Sequence, residues 1–222
     1  MVNFNRRVLV GGAPANEAVW LGEALAQYAE ELVARAYDAQ ANTELSERYR
    51  NGVRDRARRY LTGPDSVSLV ISVGNGSLAE RGAGILYMMY LADLFGADLP
   101  GRLTDSTLTG VANIEFHTGT QWGVGLSDWW TAIHQDGPGP ESGARVYPTV
   151  DLRGFLGDPW PLTPQGLAAG DFVRAGSLRS AAVQYYIVNP SDDGSTTVRL
   201  GGEGGAGSTA QAGLRMRIVR IQ

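Results

Sequence analysis

Residues 78–95 read Leu-Ala-Glu-Arg-Gly-Ala-Gly-Ile-Leu-Tyr-Met-Met-Tyr-Leu-Ala-Asp-Leu-Phe, and apolar side chains cover nearly every side of the helix they spell. A helix with no polar face has to be surrounded by other elements, so this segment is expected at the centre of a largely helical core. Gly74-Asn75-Gly76 reads as a turn ahead of it, and Ser77 with Glu80 three residues on makes a capping box that starts it. The turn is not a nucleotide loop, because no Gly-Lys-Ser/Thr follows. Gly82 and Gly84 would each cost roughly 1 kcal/mol relative to Ala, tolerable where another backbone comes close. The helix that opens at Trp20 is the expected neighbour. Met88 and Met89 read as core filling rather than as a metal or cofactor box.

That neighbour is the stretch from Trp20 to Leu32. Leu21, Leu25, Tyr28 and Leu32 recur at spacings of four, three and four, the period of a helix with one buried face. Asn16 is a plausible N-cap, and the pattern continues to about Ala39. Glu23 stands one turn before Gln27 and two before Glu30, away from the leucines. A carboxylate in a first helical turn has a plain structural reason, since the helix dipole favours negative charge there.

A chain of 222 residues suits one domain or two small ones and can bury a core. Net charge of −4 with no basic cluster argues against nucleic acid as a partner, and all 19 basic residues are arginine. Absence of cysteine excludes disulfides, thiolate metal sites and thiol catalysis. No run of eighteen apolar residues exists, so no membrane span is expected.

Between residues 43 and 61, Leu45, Tyr49, Val53, Ala57 and Tyr60 form an apolar stripe, while Arg50, Arg54, Arg56, Arg58 and Arg59 point elsewhere. Such arginines read as a solvated, ion-paired face rather than a phosphate site, and Gly63-Pro64 stops the helix. Val67 to Val73 is apolar enough for a strand or an extended connection. Residues 109–119 read as a turn and helix leading into a further helix over 122–133. On that reading Glu115 and His117 diverge and His117 is structural, whereas His134 sits at a helix end as a favourable C-terminal cation. No Gly-x-Ser-x-Gly elbow supports a serine triad. Beyond Pro159-Trp160-Pro161 helical periodicity gives way to strand-like segments over 181–188, 196–200 and 214–221, with a Gly-rich hairpin loop over 201–208. The division expected is a helical part over 1–157 and a small antiparallel β module, sandwich-like, over 158–222.

Trp20-Leu21-x-Glu23-x-Leu25-Ala26-x-Tyr28-Ala29-Glu30-Glu31 resembles the second motif of the gluzincin zinc peptidases, Trp-Leu-Asn-Glu-Gly-Leu, and most closely the bacterial hyicolysin-like branch. Gly22 and Ala24 replace the usual Asn and Gly. The likeness extends to Arg81-Gly82-Ala83 with Tyr87, Tyr90-Leu91-Ala92-Asp93, to Gly110-x-Ala112-Asn113 with Thr118-Gly119, and to residues 147–154; it covers about residues 1–157. The fold class implied is α+β: a mainly α-helical metallopeptidase C-terminal subdomain followed by the β module. By resemblance Glu23 is the third protein ligand of a catalytic zinc. Gln27 hydrogen-bonds a ligand from one turn away, and Tyr28 and Arg81 are candidate catalytic stabilisers of the oxyanion. Two His ligands and a general base come, in the family, from a His-Glu-x-x-His helix.

This chain has two histidines, His117 and His134, and neither lies in that motif. Met1-Val2-Asn3-Phe4-Asn5 resembles the residues that follow the second His, so the expectation is a C-terminal portion of a longer peptidase, inactive and without bound zinc by itself. The parent would hydrolyse peptide or protein substrates by metal-activated water, and family resemblance implies secretion or the cell surface. The alternative is a non-catalytic binding module derived from the same fold, with Trp122, Trp129, Trp130 and Trp160 available for a carbohydrate or cell-surface partner.

Overall fold

Three long helices carry the core: α1 (Val19–Ala39), α2 (Thr43–Thr62) and α3 (Leu78–Phe95), each packed against the other two. The computed structural model describes residues 16–136, 143–167, 177–188, 197–198 and 216–219, with residues 3 and 8. Shorter helices follow: α4 (Leu99–Thr104), α5 (Gly110–Thr118), α6 (Trp122–Gln135) and α7 (Leu152–Leu156). The chain is mainly helical, with a two-stranded sheet of β1 (Gln165–Leu167) and β2 (Tyr186–Val188). No described helix is long and apolar enough to cross a membrane.

Helix α3 lies where its composition demands, with every residue from Gly82 to Ala92 buried. Ser77 accepts from the Glu80 backbone N–H and the Glu80 carboxylate accepts from the Ser77 N–H, completing the capping box. The two glycines have different neighbours. A methyl group at Gly84 would lie 3.1 Å from Cβ of Ala24 on α1, whereas one at Gly82 would overlap the Arg56 carbonyl on α2. The expected α1 contact therefore accounts for one glycine, and α2 backbone for the other.

An aromatic cluster fills the space between α3 and α6. Trp129 stacks on Tyr60 at 5.9 Å and meets Tyr87 edge-on at 5.0 Å, and Trp122 contacts both Tyr87 and Trp20. Trp129 Nε1 donates to the Tyr147 hydroxyl, which donates to the Leu86 carbonyl, so the polar atoms of this buried pair are satisfied.

The arginines of α2 are not simply solvated. Arg50 reaches Asp38 at 2.6 Å and the buried Glu31 at 3.3 Å, and Arg56 pairs with Glu30 on α1. Arg54 donates to the Phe155 carbonyl, and Arg58 donates to the carbonyls of Leu156, Gly157 and Pro159. This face bolts α1 on one side and the α7 segment on the other. Residues 67–73 form an irregular connection with bends at residues 69, 70 and 73 and no strand.

Three local expectations need correction. The residue preceding α1 is Ala18, with no side-chain cap, and Asn16 lies two residues further out. His134 lies in the last turn of α6, but burial and, to a lesser degree, Arg153 push its pKa below the ordinary value, which disfavours the expected cation. The β module is expected to be antiparallel, but the described pair runs parallel, with Gln165 opposite Tyr186 and Leu167 opposite Val188. The connection between them is long enough for a crossover, which a hairpin turn would not provide. The expected strands over 196–200 and 214–221 fall largely outside the described residues, as does the Gly-rich loop.

By contacts the chain divides into two units, Met1–Leu162 with Leu178–Val183, and Thr163–Ser177 with Gln184–Gln222. Residues 178–183 join the helical unit through backbone hydrogen bonds: the Leu69 N–H donates to Ala181, and the N–H groups of Arg179 and Val183 donate to Asp65 and Pro64.

Candidate functional site

Glu23 lies in the first turns of α1, on the edge between the buried and outer faces, with its side chain 25% exposed. Helix α3 faces it with Arg81, whose Nε stands 3.4 Å from Glu23 Oε2 and is 27% exposed. The same Nε donates to the Asn75 carbonyl at 3.1 Å, so the turn before α3 holds the guanidinium from behind. Glu23, expected as a metal ligand, and Arg81, expected as an oxyanion stabiliser, thus meet as an ion pair between two helices.

Gln27, one turn along α1, is only 4% exposed, and its Oε1 is buried without accepting a hydrogen bond. A buried amide oxygen with no donor is costly, on the order of 1–3 kcal/mol. Tyr28 is placed otherwise. Five residues after Glu23 it points about 140° away around the helix, and it is 4% exposed within the core. Burial raises its pKa, an effect that Arg35 opposes and Glu31 and Asp93 reinforce. Tyr28 and the Glu23–Arg81 pair are therefore not brought together.

Zinc requires three or four protein ligands in close geometry. Among the described residues no three His, Cys, Asp or Glu side chains converge on one point. His117 lies in the last turn of α5 and His134 in the last turn of α6. Burial, and secondarily Arg102, lower the pKa of His117. The described residues thus do not make a closed zinc site. Of the expected ligand set they hold one carboxylate, that of Glu23, and Arg81 pairs with it.

Sequence reasoning missed the buried carboxylate beside this helix start. Glu17 Oε1 accepts from the N–H groups of Gly110 at 2.6 Å and Ala18 at 2.8 Å, and its Oε2 accepts from Asn113 Nδ2 at 3.0 Å. Asn113 also donates to the Leu103 carbonyl. Gly110 adopts φ +56°, and a methyl there would lie 3.1 Å from Cβ of Ala18, so the close approach of α5 to the start of α1 needs glycine. The Gly110-x-Ala112-Asn113 segment was the available signal, and the role it marks is attachment of α5 to α1.

A cavity lies elsewhere, between α3, α5 and α6. Tyr87, Tyr90, Phe95, Ile114 and Trp122 line about 20 Å³, room for one water and not for a peptide. Comparison with protein-family models, curated proteins and solved structures finds no match to this chain.

Proposed function

We propose that this chain is the C-terminal portion of a zinc-dependent peptidase of the gluzincin type. Glu23 supplies one metal ligand, and the two imidazoles and the general base lie on a His-Glu-x-x-His helix of the longer polypeptide. The helical unit is then the C-terminal subdomain of the catalytic domain, and the chain without those residues does not hydrolyse peptides. The observation that carries the reading is the pairing of a reachable carboxylate with a buried, unpartnered acceptor one turn away, on the helix whose sequence resembles the family motif. Zinc, when bound, would activate water and polarise a carbonyl. This chain's own contribution is to hold the Glu23 carboxylate and to offer Gln27 to a ligand imidazole.

The test is to express the gene's full open reading frame and measure zinc content and peptide hydrolysis, with Glu23→Gln in parallel. One zinc per chain and peptidase activity, both lost in Glu23→Gln, are expected. A reading frame with no His-Glu-x-x-His before residue 1 overturns the proposal.

A second reading, a non-catalytic binding module, is favoured by the engagement of Glu23 with Arg81, which gives the carboxylate a partner without metal. Trp20, Trp122 and Trp129 are tied into the core cluster. Carbohydrate recognition would thus rest on the half-buried Trp130 and Trp160, the latter packed under Arg153 at 4.6 Å. Binding to a glycan array that Trp160→Ala abolishes would support it.

A further inference from the structure

Two asparagines of this chain precede a glycine, Asn51 and Asn75. Both are exposed, but their backbones differ. Asn51 lies inside α2, where the Gly52 N–H belongs to the helix ladder and the peptide plane is fixed. Asn75 lies in the turn before α3, between Gly74 at φ +57° and Gly76 at φ +75°. There the Gly76 N–H donates to the Val73 carbonyl over 3.4 Å, a long hydrogen bond outside any helix. The Asn75 side-chain amide makes no hydrogen bond among the described residues. The fold itself demands the glycine. A methyl at Gly76 would lie 2.6 Å from Ile71 Cδ1 in addition to the positive φ, so no side chain shields that nitrogen.

From this geometry we infer that Asn75 is a site of spontaneous deamidation, and that its isoaspartyl product draws Arg81 away from Glu23. The Gly76 nitrogen bonds to Cγ of Asn75 and the Cγ–Nδ2 bond breaks. The proton shed by the attacking nitrogen returns through water to Nδ2, which leaves as ammonia. Water then opens the cyclic imide. Breaking the bond from Cγ to nitrogen gives aspartate at residue 75. Breaking the bond from the backbone carbonyl carbon gives isoaspartate, in which the chain runs through Cβ and Cγ and the former carbonyl becomes a free carboxylate. That carbonyl is the group that accepts from Arg81 Nε at 3.1 Å, while Glu23 Oε2 stands 3.4 Å from the same nitrogen. Isoaspartate therefore replaces a neutral acceptor by an anion on the closer side of the guanidinium, and a charged acceptor binds roughly twice as strongly as a neutral one. Aspartate leaves the carbonyl in place and carries its charge on the side chain. None of this requires a metal at Glu23.

The test holds the full chain in mildly alkaline buffer at physiological temperature, folded and in urea. Mass spectrometry after cleavage at arginine follows the two asparagines in separate fragments, residues 51–54 and 60–81. In the folded chain a gain of about 1 Da is expected at Asn75 and none at Asn51, faster as pH rises, whereas in urea both convert. Electron-transfer fragmentation and isoaspartyl methyltransferase labelling measure the isoaspartyl share. No conversion at Asn75 in the folded chain while the unfolded chain converts, or equal conversion at Asn51, overturns the site. In the chromatographically isolated isoaspartyl form the Arg81 Nε–H resonance is expected to shift away from its position in both the unmodified chain and Asn75→Asp. Glu23→Gln should move that resonance in the unmodified chain and leave it in place in the isoaspartyl form. A resonance that isoaspartate does not move overturns the transfer of Arg81 from Glu23.

Discussion

Gly22 and Gly82 show how one residue type is required at one site and dispensable at another. Both lie in helices, but a methyl at Gly22 meets nothing within 4 Å, whereas one at Gly82 overlaps the Arg56 carbonyl of α2. Gly22→Ala is expected to stabilise the fold by about 0.5–1 kcal/mol, because it lowers the backbone entropy lost on folding. Gly82→Ala is expected to cost about 3 kcal/mol, since backbone on both sides must part. Urea unfolding of the two variants checks both signs. His134 belongs at this scale too. Burial and Arg153 hold its folded pKa below the ordinary 6.5, so the unfolded chain binds its proton first as pH falls. Its contribution to stability is therefore complete above about pH 6.5 and is lost as pH drops toward and through the folded value. His117 acts in the same direction. The thermal midpoint should fall between pH 7 and pH 5, and His134→Gln should flatten that fall.

Among the elements, α2 has the most to explain. Its composition announces an arginine-rich outer face, yet the arginines divide into those that reach a second element and those that do not. Arg58 donates to three carbonyls between residues 156 and 159. Arg59 pairs with Asp55 one turn back, both more than half exposed. Arg58→Ala should cost about 1–2 kcal/mol and speed amide exchange at the end of α7, because it leaves three carbonyls between residues 156 and 159 without their donor. Arg59→Ala should change stability by less than about 0.5 kcal/mol. Equal effects would mean that the clamp on α7 lies elsewhere. Helices α1, α2 and α3 were legible from apolar spacing and caps; only Asn16 as a cap was misplaced, because Glu17 and Ala18 rather than Asn16 adjoin the start of α1. The direction of strand pairing was not legible. Short apolar runs fix neither partner nor direction, and β1 and β2 are joined through residues that pack on the helical unit.

In the molecule as a whole, residues 178–183 belong to the helical unit although they follow part of the β unit in sequence. A chain ending at residue 183 should therefore keep the hydrogen bonds to Pro64, Asp65 and Leu69, and one ending at residue 162 should lose them. The chain ending at residue 183 is expected to melt higher, by several degrees, as followed by circular dichroism at the helical band. Equal midpoints would show that those bonds add nothing to the unit. Periodicity and capping residues determined which segments are helical and that residues 78–95 must be central, because local propensity and the need to bury apolar surface act along the chain itself. Tertiary structure alone decided that Arg81 faces Glu23, that Gln27 is buried with an oxygen unpartnered, and that Glu17 and Asn113 lock α5 to α1. Those pairings depend on which helix faces meet across the core, and spacing within one helix carries no information about its neighbour.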